Sequence, residues 1–428
     1  MRIFILACFA WLFLLPVHSG YASTSLQQQI DESPPYGTIS LDGCIYEGPV
    51  IISKPLTIKA TEPAIIQASG KQPAITIEGQ GVQLENIHVK SLSAEAETAV
   101  KMTGMKHQLR DMKVETNSIG IQLFQAADNV LENIQVTGQP EAEGELHAFN
   151  GIDLYQAHRN TITASTIQNV QDGIYVDHSH YNVIQQNTIT YSRYGIHLMF
   201  TEGTRVLQNN ARHNITGLMI MESERVEVKG NDASYNDRHV HAQGLLVFNV
   251  FDSVFDSNRL NHNRVGVYLE SSEQNRFISN EIAMNFIGLQ VKEAIQNTLT
   301  GNDFIANIVP GQAFGIFSND VRNNYWDDAA VLDVNGDGSS ELSHPLDPYF
   351  LTIVKKNPAY QLLFHAPGIT LLKQVFKGDP EQLVFDEAPR AKPVMAQTKS
   401  SETRYSGRIW MSLIFLCASM TFFIVGRK

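Results

Sequence analysis

A short pattern of glycine, branched residue, any residue and apolar residue recurs along the chain, and it restricts the possible folds more than any other feature. It stands at Gly120-Ile-Gln-Leu, Gly151-Ile-Asp-Leu, Gly173-Ile-Tyr-Val, Gly195-Ile-His-Leu and Gly217-Leu-Met-Ile. It continues at Gly244-Leu-Leu-Val, Gly266-Val-Tyr-Leu, Gly288-Leu-Gln-Val and Gly315-Ile-Phe-Ser. The glycines are spaced by 31, 22, 22, 22, 27, 22, 22 and 27 residues. That is a 22-residue unit with occasional insertions, and periods of this length signal a solenoid.

An asparagine stands eight residues before most of these glycines: Asn187, Asn209, Asn258 and Asn280, with Asn231 and Asn302 in the same role ahead of two five-residue insertions. A second series, Asn214, Asn236, Asn263, Asn285 and Asn307, keeps the same register. Stacked asparagines can bond one another's side-chain amides along a β-stack axis. The strands within each unit are brief and alternate in polarity, and nothing is long enough to supply a crossover helix. Each unit is therefore expected to form one coil of an all-β, right-handed, single-stranded parallel β-helix. Residues such as Ile196 and Leu198 would point into a core that only stacking can close.

This β-helix domain is placed at residues 38–330, with early rungs at Val50-Ile-Ile and Ala74-Ile-Thr-Ile and an end near Trp326. An acidic loop and C-terminal extension follow at 331–390, then a polar linker at 391–408. Met1-Arg2, an apolar run from Ile3 to Val17 and small residues at Gly20 and Ala22 read as a signal peptide, 1–22. Residues 409–425 are uncharged between Arg408 and Arg427-Lys428, which predicts a C-terminal transmembrane helix and anchorage of an exported body to the inner membrane. Between the two terminal segments the only cysteine is Cys44, so no disulfide framework is expected. A net charge of −12 excludes a nucleic-acid partner, which would need a basic stripe.

Alternation along the strands makes the second and fourth residues after each glycine point outward, and stacking sets equivalent residues about 4.8 Å apart. His197, Met199, Met219 and Met221 then form one outward patch. Imidazole and thioether are borderline or soft donors that suit copper, above all Cu(I). The insertion Asp237-Arg-His-Val-His projects beside it, and His239 and His241 are further candidate ligands. The same surface, continued by Leu246 and Phe248, also reads as a docking face for another protein.

Asp333, Asn335 and Asp337, with Gly338 after them, repeat the alternating oxygen donors of a calcium loop, and Glu341 or Asp347 would complete a weak calcium site. The twelfth position is His344, where an EF-hand has glutamate. Asp177-His178-Ser-His180 is the feature nearest to catalysis, because a β-helix face of this kind suits a polysaccharide-binding or polysaccharide-modifying protein. The methionines continuing the Asp177 ladder argue against a glycan groove there, so no catalytic residue is assigned and the protein is expected not to be an enzyme.

Several stretches resemble the NosD family, periplasmic copper-binding accessory proteins of nitrous oxide reductase. They are Tyr194-Gly-Ile-His-Leu-Met-Phe, Gly217-Leu-Met-Ile-Met, Gly244-Leu-Leu-Val-Phe-Asn, Gly266-Val-Tyr-Leu-Glu and Asn324-Tyr-Trp-Asp. Leu56-Thr-Ile-Lys and Asn357-Pro-Ala-Tyr-Gln-Leu-Leu-Phe fit as well. The resemblance implies a part in nitrous oxide reductase maturation and denitrification, in the assembly of a copper-sulfide cluster. It implies an ABC transporter with its membrane and ATPase subunits, the reductase itself and a copper-delivering lipoprotein as partners. The family's Asp-Gly-Asp-Gly-Ile-Gly-Asp loop has become Asn-Gly-Asp-Gly-Ser-Ser-Glu here, which weakens the calcium expectation. A scaffold for the assembly complex that holds no metal is the remaining alternative.

Overall fold

The computed structural model describes residues 25–93, 95–138, 148–314, 318–346 and 384–394. They form a right-handed parallel β-solenoid. One face is a 12-stranded parallel sheet running from Val50–Ile52 to Val309–Phe314, and the other faces form a 19-stranded sheet with a three-stranded continuation. Every coil lays its strands on those of the next in parallel register: Ile174 on Ile196 on Leu218, then on Leu245 and Val267. The inward residues of these strands, such as Ile196, Leu198, Leu218 and Ile220, are wholly buried. Each coil therefore finishes its neighbour's core, and none can close alone.

Asparagines hold the corners. The backbone N–H of Asn187 donates to Asn209 Oδ1 at 3.0 Å, and that of Asn209 to Asn231 Oδ1 at 2.8 Å. The column continues through Asn258, Asn280 and Asn302 to Asn324. The second expected column, Asn214 to Asn307, is bonded in the same way. A third column passes through Asn129, Asn160 and Asn182 and resumes at Asn275, Asn297 and Asn319. Its interruption at Thr204, Val226 and Ser253 hides it in the sequence. The residue before each inward asparagine turns the corner with a positive φ: Gln208 at 53°, Tyr235 at 61°, Met284 at 55°.

The repeat glycines do not stand at the turns of the coil. They lie inside strands, for example Gly173 in Asp172–Asp177 and Gly195 in Tyr194–Met199. A Cβ on Gly195 would stand 2.4 Å from the Gly217 carbonyl oxygen and 2.9 Å from Ala211 Cβ. Close approach between coils selects glycine here, whereas the left-handed corners are carried by other residues. The last rung also differs from expectation. Leu289 pairs with Gly311, which puts Pro310 where the glycine should be and restores the 22-residue spacing. No insertion lies before that rung, and Gly315 falls outside the described residues.

Both ends of the stack are covered, as an exposed sheet end requires. The helix Leu26–Glu32 starts at Ser25, which accepts from Gln28 N–H, and it buries Leu26 and Ile30. Its Gln27 amide pairs with the Ile51 backbone as a strand would, accepting at 2.7 Å and donating at 3.2 Å. At the far end Val384–Asp386 pairs antiparallel with His344–Leu346. Buried Asp386 accepts from Asn324 N–H, Asn324 Nδ2 and Trp326 Nε1 at 3.1, 2.9 and 2.9 Å. It ends the asparagine column with one more acceptor. Residues 391–394 return to the coil, where Val394 N–H reaches Asp303 Oδ1. Among the described residues no helix is long and apolar enough to cross a membrane. The expected signal peptide, 1–22, the transmembrane segment, 409–425, and most of the linker lie outside them.

Candidate functional site

The strands Tyr194–Met199 and Thr216–Glu224 are adjacent, and their register sets His197 on Met219 and Met199 on Met221. The four residues singled out from the repeat thus occupy one face of two neighbouring coils. Tyr175 and Asp177 precede them on the coil before, and Leu246 and Phe248 follow on the coil after. The three methionines are half-buried.

His197 is not the open outward residue that alternation suggests, since it is only 7% exposed. The Tyr175 ring lies 4.9 Å from it and the Tyr194 ring 5.1 Å, edge on. Its Nδ1 is 2.9 Å from Asp172 Oδ2. Asp172, 1% exposed, also accepts from Arg193 Nε and Nη2, both at 2.9 Å. The guanidinium in turn lies 4.4 Å over the Tyr194 ring. His197 Nε2 is buried and has no hydrogen-bond partner among the described residues. Such an orphaned group costs about 1–3 kcal/mol, so it calls for an explanation.

The Tyr175 hydroxyl donates to Met199 Sδ at 3.7 Å, a weak contact appropriate to a thioether acceptor. Burial, with Asp177, Asp153 and Asp172 nearby, pushes Tyr175 up to about 12, so the phenol stays protonated. Burial likewise raises the Asp153 carboxyl, two coils before His197 on the same ladder. Asp172 and Arg193 were absent from the sequence-based candidates. Asp172 opens its strand and Arg193 immediately precedes the next, and only the residue types Asp, Arg and His at spacings of 21 and 4 signal them.

His239 and His241 lie on an exposed turn, with ring centroids 5.4 Å apart and His241 N–H donating to His239 Nδ1. Arg238 of the same turn reaches to 5.2 Å from the Tyr191 ring, so the turn leans along a corner. That corner carries a stack of Tyr191, His213, Tyr235 and His262. At the opposite border Tyr155, His178 and Phe200 approach one another. His178 Nδ1 sits 2.6 Å from Asp177 Oδ1, while His180 stacks on His158 and accepts from Glu202 N–H. The Asp177-His178-Ser-His180 run is thus divided between two bonding partnerships.

The acidic loop turns its oxygens on its own backbone. Asp333 accepts from Gly336 and Gly338 N–H, Asn335 from Asp337 N–H, Asp337 from Ser339 N–H and Glu341 from Val334 N–H. Among the described residues no group of three or more His, Cys, Asp or Glu is placed to hold a metal ion.

Residues 132–335 match the family model NosD, described as a periplasmic copper-binding protein. No curated protein matches the chain. Among solved structures, a variant of the periplasmic alginate epimerase AlgG superposes with a TM-score of 0.54 at 15% identity, covering 70% of this chain and 82% of that one. A PL6 family polysaccharide lyase from Pseudopedobacter saltans gives 0.45 at 10% identity, covering 71% and 91%. The Dettilon tailspike protein gives 0.43 at 15%, covering 57% of this chain and 60% of its own length. The first of these likenesses supports the β-helix architecture.

Proposed function

We propose, on the premise of the NosD match over residues 132–335, that this chain is a periplasmic copper carrier. It would take Cu(I) on His197 Nε2 and the thioethers of Met199, Met219 and Met221, and release it by ligand exchange. The observation that carries this reading is the buried, unpartnered Nε2 of His197 on the same two-coil face as three half-buried methionines. An imidazole whose other nitrogen is tied to a carboxylate is the usual state of a histidine ligand. Three thioethers favour the softer oxidation state. Copper is cargo here, and no bond-making chemistry on an organic substrate is needed.

The recipient, by family resemblance, is nitrous oxide reductase during assembly of its copper-sulfide cluster, with an ABC transporter and a copper-delivering lipoprotein as further partners. Residues 409–425 would hold the protein at the inner membrane beside that transporter. Leu246 and Phe248, continuing the methionine ladder, would lie where donor and acceptor dock. His239 and His241 would act on affinity from the exposed turn.

The test is an anaerobic Cu(I) titration of the full-length protein against a competing chelator, with Met199→Ala/Met219→Ala/Met221→Ala alongside. The expected result is tight binding by wild type that the folded triple variant loses. Equal binding by the two, or none by either, overturns the carrier reading and leaves the face as a docking surface.

A further inference from the structure

Asp172 belongs to none of the ladders that carry soft donors, yet it is among the most completely enclosed charged side chains of the coil. Both of its oxygens are engaged: Oδ1 by Arg193 Nε, and Oδ2 by Arg193 Nη2 and by His197 Nδ1, all at 2.9 Å. A carboxylate paired with a guanidinium is an acceptor only, so the proton at the His197 contact sits on Nδ1. That assignment leaves the lone pair on Nε2, the buried atom without a partner.

The three residues come from two coils. Asp172 opens the strand Asp172–Asp177, and Arg193 and His197 flank the start of the next strand, where Tyr194 pairs with Asp172. Arg193 is itself fixed by lying over the Tyr194 ring. The Tyr175 ring packs against the imidazole. The ring's orientation is thus set from both sides, and its tautomer from one.

We propose that Asp172 and Arg193 are positioning residues for copper. Arg193 locks the plane of the Asp172 carboxylate, and Asp172 holds His197 in the Nδ1–H tautomer with Nε2 presented toward the methionine face. The role rests on the carrier reading above, and it adds a requirement that the soft ligands alone do not make. A metal site assembled from four side chains on two coils works only if the one nitrogen donor has its lone pair free and aimed before copper arrives. Outer partners of this kind typically alter metal affinity by about 10–100-fold.

Two measurements on the full-length protein test it. The first is 15N NMR of histidine-labelled, metal-free protein, with His197 assigned by its loss in His197→Gln. Wild type should show a protonated Nδ1 and a bare Nε2. The second is Cu(I) affinity by chelator competition. Asp172→Asn and Arg193→Gln should each bind about 10–100-fold more weakly and populate the Nε2–H form, whereas the triple methionine variant should lose copper with the tautomer unchanged. An Nε2–H His197 in wild type overturns the proposal without reference to any variant, so a variant that fails to fold does not shield it. Wild-type affinity in folded Asp172→Asn overturns the positioning role and leaves the carrier reading standing. Failure of wild type to bind Cu(I) overturns both.

Discussion

Asn231, in the middle of the longest asparagine column, gives the most direct test of what holds the coils together. Its Oδ1 accepts from Asn209 N–H at 2.8 Å and Asn209 Nδ2 at 3.0 Å, and its Nδ2 donates to the Val206 carbonyl at 2.8 Å and to Asn258 Oδ1 at 3.0 Å. Asn231→Ala removes all four bonds. Asn209 Nδ2 still reaches the Ile184 carbonyl and Asn258 Oδ1 still accepts from the residue 231 N–H. The Asn209 N–H loses its side-chain partner in a position with no access to water. One stranded donor at about 1–3 kcal/mol, with the three other lost bonds at about 0.5–1.5 kcal/mol each, gives a loss of roughly 2.5–7.5 kcal/mol. Serine supplies a graded comparison, because Ser253 and Ser165 already accept backbone N–H bonds in these columns at 2.9 and 3.1 Å. Asn231→Ser should therefore keep the Asn209 N–H satisfied and cost about 1–2 kcal/mol less than alanine. Urea midpoints at constant m measure the difference. Hydrogen exchange should show the Asn209 amide losing protection while distant coils near Ile75 keep theirs, as nearest-neighbour stacking requires. A loss below about 1 kcal/mol for alanine, or serine as costly as alanine, would refute the view that the column stabilises by satisfying backbone donors.

Asp386→Ala should strand Asn324 N–H and Trp326 Nε1 at the C-terminal end, lowering stability by about 3 kcal/mol and shifting Trp326 fluorescence to the red; an unmoved spectrum with full stability would rule out capping by residues 384–386. His107 occupies an asparagine position in the third column, with Nδ1 accepting from Val82 N–H and Nε2 2.9 Å from the Thr103 carbonyl. Burial holds its imidazole below the ordinary value, partly offset by Thr103. The unfolded chain takes up that proton near pH 6.5 and the folded chain does not, so His107 contributes stability that is full above about pH 6.5 and falls as pH drops toward the folded value. His107→Asn keeps a column acceptor without the titration, and it should flatten the dependence of the urea midpoint between about pH 7.5 and 5. An unchanged slope would exclude His107 as its source.

Much of the site was legible because a solenoid turns sequence spacing into spatial adjacency. The 22-residue interval between His197 and Met219, and between Met199 and Met221, is by itself a statement of register, and the strands pair so. The same logic yields two of the three asparagine columns. It misses the third, whose regularity is broken by a threonine, a valine and a serine, and it misplaces the last rung, because a search for glycine passes over Pro310. It also assigns outward residues to solvent, whereas neighbouring side chains enclose His197. The repeat predicts direction relative to the core, and burial depends in addition on how large the flanking corner residues are.

The sequence by itself determined the coil, its period, its inward and outward faces and the meeting of soft donors on one of them. These follow from local alternation repeated at a fixed interval. Only the tertiary structure decided that the glycines answer to the carbonyl of the next coil and that Asp386, far along the chain, ends the column begun at Asn187. The same holds for the grip of Arg193 and Asp172 on one nitrogen of His197, which leaves the other bare. These depend on side chains crossing between coils at corners and ends, where the repeat no longer dictates which residue stands beside which.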